Sequence, residues 1–151
     1  MTTYVDSSAL VAVYVSERFS AAARRAVQAV AQVPYTRLHG LEVLNALELL
    51  VGRKALTREE CRALQGQLAE DLANRRLVRL RLDLDQVFTN AAELSRAYTS
   101  RTLSRSLDLL HVAASHLAMC TTFVSADDRQ LAVAKVTGLK VIDIKSRTRR
   151  R

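Results

Sequence analysis

Five short apolar runs, each separated from the next by helix-patterned sequence, narrow the folds open to this chain more than any other feature. They lie at residues 3–6, 33–36, 78–82, 121–125 and 140–144. Strands joined through a helix line up parallel, with the helices packed on the faces of the sheet. The expected fold is therefore three-layer α/β, with a mostly parallel sheet of about five strands flanked by helices. Ligands on such sheets bind beyond the carboxyl ends of the strands. Residues that follow each run deserve the closest reading.

The segments between the runs read as helices at 8–15, 19–31, 38–53, 57–74, 84–99, 106–118 and 127–136. Leu41, Leu44, Leu47 and Val51 recur at helical spacing and predict an amphipathic helix. Thr57 and Glu60 form a capping box, and Gly138 supplies a helix stop. Residues 106–118 are apolar on nearly every side, which predicts a buried helix. The run Val78-Arg79-Leu80-Arg81-Leu82 alternates with period two, as an edge strand with one wet face would.

One Pro and four Gly in 151 residues leave no linker, so a single domain is expected over residues 1–145, followed by a basic tail at 146–151. No apolar run approaches the roughly 18 residues of a membrane span, and no basic region precedes the apolar start. A soluble, cytoplasmic protein is expected. Lys and Arg number 23 against 15 Asp and Glu, a formal charge of +8. That balance favours a polyanionic partner, nucleic acid first. Trp is absent and aromatics are 5%, so contact with a nucleic-acid backbone is favoured over base stacking. Cys61 and Cys120 belong to no C-x-x-C pair and read as small apolar residues. The tail reads first as a solvated end; any role in steering RNA would fade as salt rises.

Four acids stand where acids are costly or conspicuous. Asp6 closes the first apolar run, and Asp127 follows the fourth. Glu42 lies in L-H-G-L-E-V-L-N-A-L and Asp108 in R-S-L-D-L-L-H-V-A-A. Each has a plain structural reading. Asp6 suits an N-cap. Asp108 suits a first helical turn capped by Ser104 or Ser106. Glu42 could be a solvated charge beside Asn45, and Ser125-x-x-Asp128 fits a capping box that leaves Asp127 for the site. Capping does not require four segments to point at one rim, however. Two carboxylates about 5 Å apart repel by roughly 3 kcal/mol at an effective dielectric near 20, so a cluster needs cations or protons. Hard divalent ions match such oxygen ligands, and no Cys/His cluster argues for zinc. His111 is read as a hydrogen-bonded core residue rather than a ligand or base.

The wording and order of these segments resemble the PIN-domain family, and within it the VapC-like ribonuclease toxins of type II toxin–antitoxin pairs. Y-V-D-S-S-A-L is similar to the family's first acidic motif, and L-E-V-L-N-A-L to its second. R-S-L-D-L-L-H-V-A-A resembles the third, and F-V-S-A-D-D-R-Q-L-A resembles the fourth. The resemblance implies a PIN-like fold whose edge strand carries Arg79 and Arg81. It also implies catalytic, metal-holding roles for Asp6, Glu42, Asp108 and Asp127, with Mg2+ or Mn2+ as cofactor. An RNA substrate, a small VapB-like antitoxin and a homodimer follow from the same likeness. Ser7, Asn45 and Ser125 are expected to orient the acids or metal waters, and Arg105 and Arg129 to grip phosphate. The rival reading is a PIN-like module that binds RNA or a partner without cutting. A dehalogenase-like phosphatase fits less well, since Ser8 stands where its second Asp belongs.

Overall fold

The structure, a computed structural model, describes residues 1–146; the remainder of the expected basic tail, residues 147–151, lies outside the described residues. The chain runs β1 (Thr3–Val5), α1 (Ser7–Tyr14), α2 (Ser20–Gln28), β2 (Val33–Tyr35), α3 (Arg37–Gly52) and α4 (Arg58–Ala73). It continues through β3 (Leu77–Arg79), α5 (Leu84–Thr102), α6 (Ser106–Leu117), β4 (Thr122–Ser125), α7 (Asp128–Val136) and β5 (Lys140–Asp143). Each strand and helix predicted from the sequence is present. All strand pairings are parallel, with β4 between β1 and β5, and β2 beside β3. Among the described residues no helix is long and apolar enough to cross a membrane.

Alternation along the central strands creates the three layers. Val5 and Val124 face a core built with α1 to α4, whereas Tyr4 and Phe123 face a second core with α5, α6 and α7. The Tyr4 and Phe123 rings stack at 5.5 Å between centroids on that second side. Both cysteines are buried and free, consistent with their reading as small apolar residues. At the end of α7, Gly138 takes φ of 91°, a left-handed conformation that a side chain would oppose, and so ends the helix.

The five strands form two ladders, one of three and one of two, rather than one continuous ladder. The seam lies between β1 and β2, and a histidine fills it. Because the Asp6 N–H donates to the Val124 carbonyl, the Val5 carbonyl turns away from β4. That carbonyl accepts from His39 Nε2 at 2.8 Å, while His39 Nδ1 accepts the Thr36 N–H at 3.0 Å. Burial holds the His39 pKa down at about 3, so the ring is neutral and serves as donor on one side and acceptor on the other. His39 thereby replaces ladder hydrogen bonds at the point where the chain enters α3.

Two local expectations are corrected by packing. The buried face of α3 carries His39, Val43 and Leu47, whereas Leu41 and Leu44 are exposed. Helix α6 is buried along most of its length, but Leu107 is half exposed. As expected, β3 is an edge strand, pairing only with β2, although it stops at Arg79 and leaves Arg81 in the following loop.

Replacing His39 with Leu leaves the Val5 carbonyl and the Thr36 N–H without their ring partner, an expected loss of about 2–4 kcal/mol in urea unfolding. Wild-type stability linked to His39 is fully present above pH 6.5 and is lost as pH falls toward 3, because the unfolded ring takes up a proton first. The substituted protein should lack that component of the slope; equal stability and an identical slope would contradict this role.

Candidate functional site

Asp6 sits at the C-terminal end of β1 with no solvent exposure. Its Oδ1 accepts the Ala9 N–H at 2.8 Å, which caps α1, so the capping reading of this residue holds alongside any other role. Ser8 donates to both carboxylate oxygens, and Ser125 Oγ donates to Oδ2 at 2.8 Å. Burial raises the Asp6 pKa, while the nearby His111, the Ala9 N–H and the two hydroxyls pull it down. Ser125 Oγ also accepts the Asp127 N–H at 2.8 Å, tying the end of β4 to the end of β1.

The other three acids arrive from separate elements. Glu42 projects from the second turn of α3, where Ser7 Oγ donates to Oε1 at 3.2 Å and His111 Nε2 lies 2.5 Å from the same oxygen. Asp108 is buried in the first turn of α6, and its Oδ2 accepts the Arg105 N–H at 2.7 Å. Asp127 caps α7, its Oδ1 accepting the Arg129 N–H at 2.8 Å. Asp6, Glu42, Asp108 and Asp127 all line one open cleft of about 450 Å³, together with Ser7, Arg105 and Gln130. One rim therefore collects acids from four segments, as parallel topology allows.

The surrounding residues depart from expectation in instructive ways. Asn45 is exposed and does not line the cleft; Ser7 and His111 hold Glu42 instead. Arg129 is exposed too, and only its backbone engages the site acids. Ser125 is not a helix cap, and Asp128 pairs at the surface with Lys145 Nζ at 2.5 Å. Neither Ser104 nor Ser106 caps α6, because Arg105 occupies the N-cap position and its N–H turns onto Asp108. Arg105 does reach the acids. Its Nη2 lies 3.0 Å from Asp127 Oδ2 and its Nε 3.3 Å from Asp108 Oδ2.

One contributor escaped the sequence reading, and another does more than was expected of it. His111 is fully buried and hydrogen-bonded to Tyr4 OH at 2.9 Å, as a core histidine should be, yet its other nitrogen meets a site acid. The signal available was its i+3 position after Asp108. Gln130 Nε2 donates to Asp108 Oδ1 at 3.4 Å, and its buried Oε1 has no hydrogen-bond partner. As the side chains stand, no group of three His, Cys, Asp or Glu among the described residues could hold a metal ion. The chemistry of the donors nevertheless fits a hard divalent cation: four carboxylates and an unpaired amide oxygen, with no soft ligand.

Comparison with known proteins agrees with this arrangement at the level of family and fold. The PIN domain family matches residues 3–136, and the chain belongs to that family. The crystal structure of FitAcB from Neisseria gonorrhoeae superposes with a TM-score of 0.67 at 13% identity, covering 97% of this chain and 100% of that one. VapBC2 from Rickettsia felis, bound to a DNA fragment from their promoter, gives a TM-score of 0.63 at 13% identity, covering 95% and 98%. No curated protein sequence matches the chain.

Proposed function

We propose that this protein is a divalent-metal-dependent endoribonuclease, the toxin of a toxin–antitoxin pair, acting in the cytoplasm on RNA phosphodiester bonds. The observation that carries the proposal is the convergence of Asp6, Glu42, Asp108 and Asp127 on one cleft of a PIN-family fold. These four residues are the ones to hold Mg2+ or Mn2+. When bound, the ion supplies positive charge that acidifies the attacking water and offsets the charge developing on the phosphate.

The chain's own residues prepare that chemistry. Ser8, Ser125 and the Ala9 N–H fix both Asp6 oxygens, so this carboxylate cannot rotate away. His111 and Ser7 both fix Glu42 through Oε1. Arg105 stands at the mouth of the cleft with a mostly exposed side chain, placed to meet a phosphate oxygen. Water oxygen attacks phosphorus, the bond to the 3′ oxygen breaks, and that oxygen takes the proton. The 2′-hydroxyl has no part, so the products carry a 5′-phosphate and a 3′-hydroxyl.

Partners follow from the neighbours and from exposed apolar surface. A small VapB-like antitoxin is proposed by analogy with VapBC2. A second copy of the chain is proposed for the groove of about 830 Å³ between α3, the β3 edge and α5. Its wall exposes Leu41 at 67% and Phe88 at 61%, apolar side chains that a partner surface would cover. Arg79, Arg81 and Asp83, Asp85 crowd the same region and form no ion pairs among the described residues. A two-fold contact lets each copy's arginines meet the other's aspartates.

A mixed RNA pool should be cut with Mg2+, but not with EDTA. Asp6→Asn should slow cutting by about a hundredfold or more, as expected when several kcal/mol of charge stabilisation is lost. Equal cutting in all three conditions, or 2′,3′-cyclic phosphate ends, would contradict the mechanism. Light scattering should find the wild type dimeric and the double variant Leu41→Asp, Phe88→Asp monomeric; a dimer that survives both changes would rule out this interface.

A further inference from the structure

Among the residues lining the acidic cleft, Arg105 is the one cation set against four acids. Its guanidinium spans two of them, which come from different segments: Asp108 in α6, and Asp127 at the junction of β4 and α7. A metal ion serving those acids has to neutralise the same negative charge. The geometry points to Arg105 as a built-in competitor of the divalent ion, exchanging places with it at Asp108 and Asp127. This inference rests on the carboxylate–metal reading of the cleft and concerns what sets its affinity.

Three observations support an exchange over a permanent ion pair. First, the Arg105 side chain is 63% exposed, so the guanidinium leaves Asp127 for water at little cost. Second, its backbone stays anchored when it does, because the Arg105 N–H is bound to Asp108 Oδ2 at 2.7 Å and the residue caps α6. The swing is confined to the side chain. Third, an acceptor stands beside Asp108 with nothing to accept: Gln130, only 7% exposed, has Oε1 without a partner. Arg105 does not satisfy that oxygen, whereas a hard cation or its water would.

The exchange also explains how four acids coexist in a cleft where no three of them enclose a metal-sized point. Arg105 holds Asp108 and Asp127 by their Oδ2 atoms, Ser8 and Ser125 hold Asp6, and Ser7 and His111 hold Glu42. Releasing the side chain frees Asp127 Oδ2, takes the guanidinium off Asp108 Oδ2, which keeps the Arg105 N–H, and leaves the charge at the cleft mouth free for substrate phosphate. Loading of the ion and readiness for phosphate are then one motion.

Mn2+ binding, read by the electron paramagnetic resonance signal of the free ion, tests this without any measurement of RNA cleavage. Arg105→Gln keeps the N-cap backbone and removes the charge; its folding is checked by thermal unfolding. It should bind Mn2+ more tightly than the wild type by about two- to fivefold, the scale of an exposed ion pair removed. Arg105→Lys, charged but without the planar fork, should fall between the two. Affinity that is unchanged or weaker in Arg105→Gln, or no Mn2+ binding by either protein, overturns the proposal. Weaker binding is the result expected if Arg105 merely positions the acids. Failure of RNA cleavage in a protein that binds Mn2+ with this ranking would count against the nuclease reading and leave the exchange standing.

Discussion

A carboxylate sealed from solvent holds the site together. Asp6 accepts from the first turn of α1 and from Ser125 at the end of β4, and Ser125 in turn receives the Asp127 N–H. A buried carboxylate is tolerated only when its hydrogen-bonding capacity is met, and here the partners come from segments more than a hundred residues apart in sequence. The ends of β1 and β4 are thereby locked in register at the rim where the acids gather. Loosening this bond would move Asp127 along with Asp6.

Two buried histidines extend the same logic into the core. His39 closes the seam between the two ladders by bonding the Val5 carbonyl, one residue before Asp6. His111 joins Tyr4, in the middle of β1, to Glu42 on α3. The rings lie 5.2 Å apart, so the polar centre of the protein is contiguous with its acidic cleft. In low-dielectric surroundings such a network must be satisfied throughout, because each unpaired member would be expensive. The fold and the site are consequently parts of one hydrogen-bonded structure.

The sequence was most legible where chain-local rules apply. Short apolar runs alternating with helices specify parallel strands, and acids just beyond two of those runs fall on the rim by topology alone. It was least legible where one helix carries two apolar stripes. Leu41 and Leu44 share the spacing of a core face, yet Val43 and Leu47 are the residues buried, and periodicity does not tell core from partner. Asn45 failed as a partner for Glu42 because the hydroxyl and imidazole that hold Glu42 arrive from 35 and 69 residues away. Arg129 gives its backbone N–H to Asp127 at the start of α7 while its side chain stays at the surface, where a phosphate can reach it. Gln130 carried no motif, and only burial reveals its unpaired oxygen.

If Asp6, Glu42, Asp108 and Asp127 form a cation site, the ion itself can be located there. Crystals soaked in Mn2+ and measured at the manganese absorption edge should show an anomalous peak inside the cleft, within ligand distance of carboxylates from the set Asp6, Glu42, Asp108 and Asp127. A well-occupied peak elsewhere on the protein, with the cleft empty, would rule out a cation site at these acids.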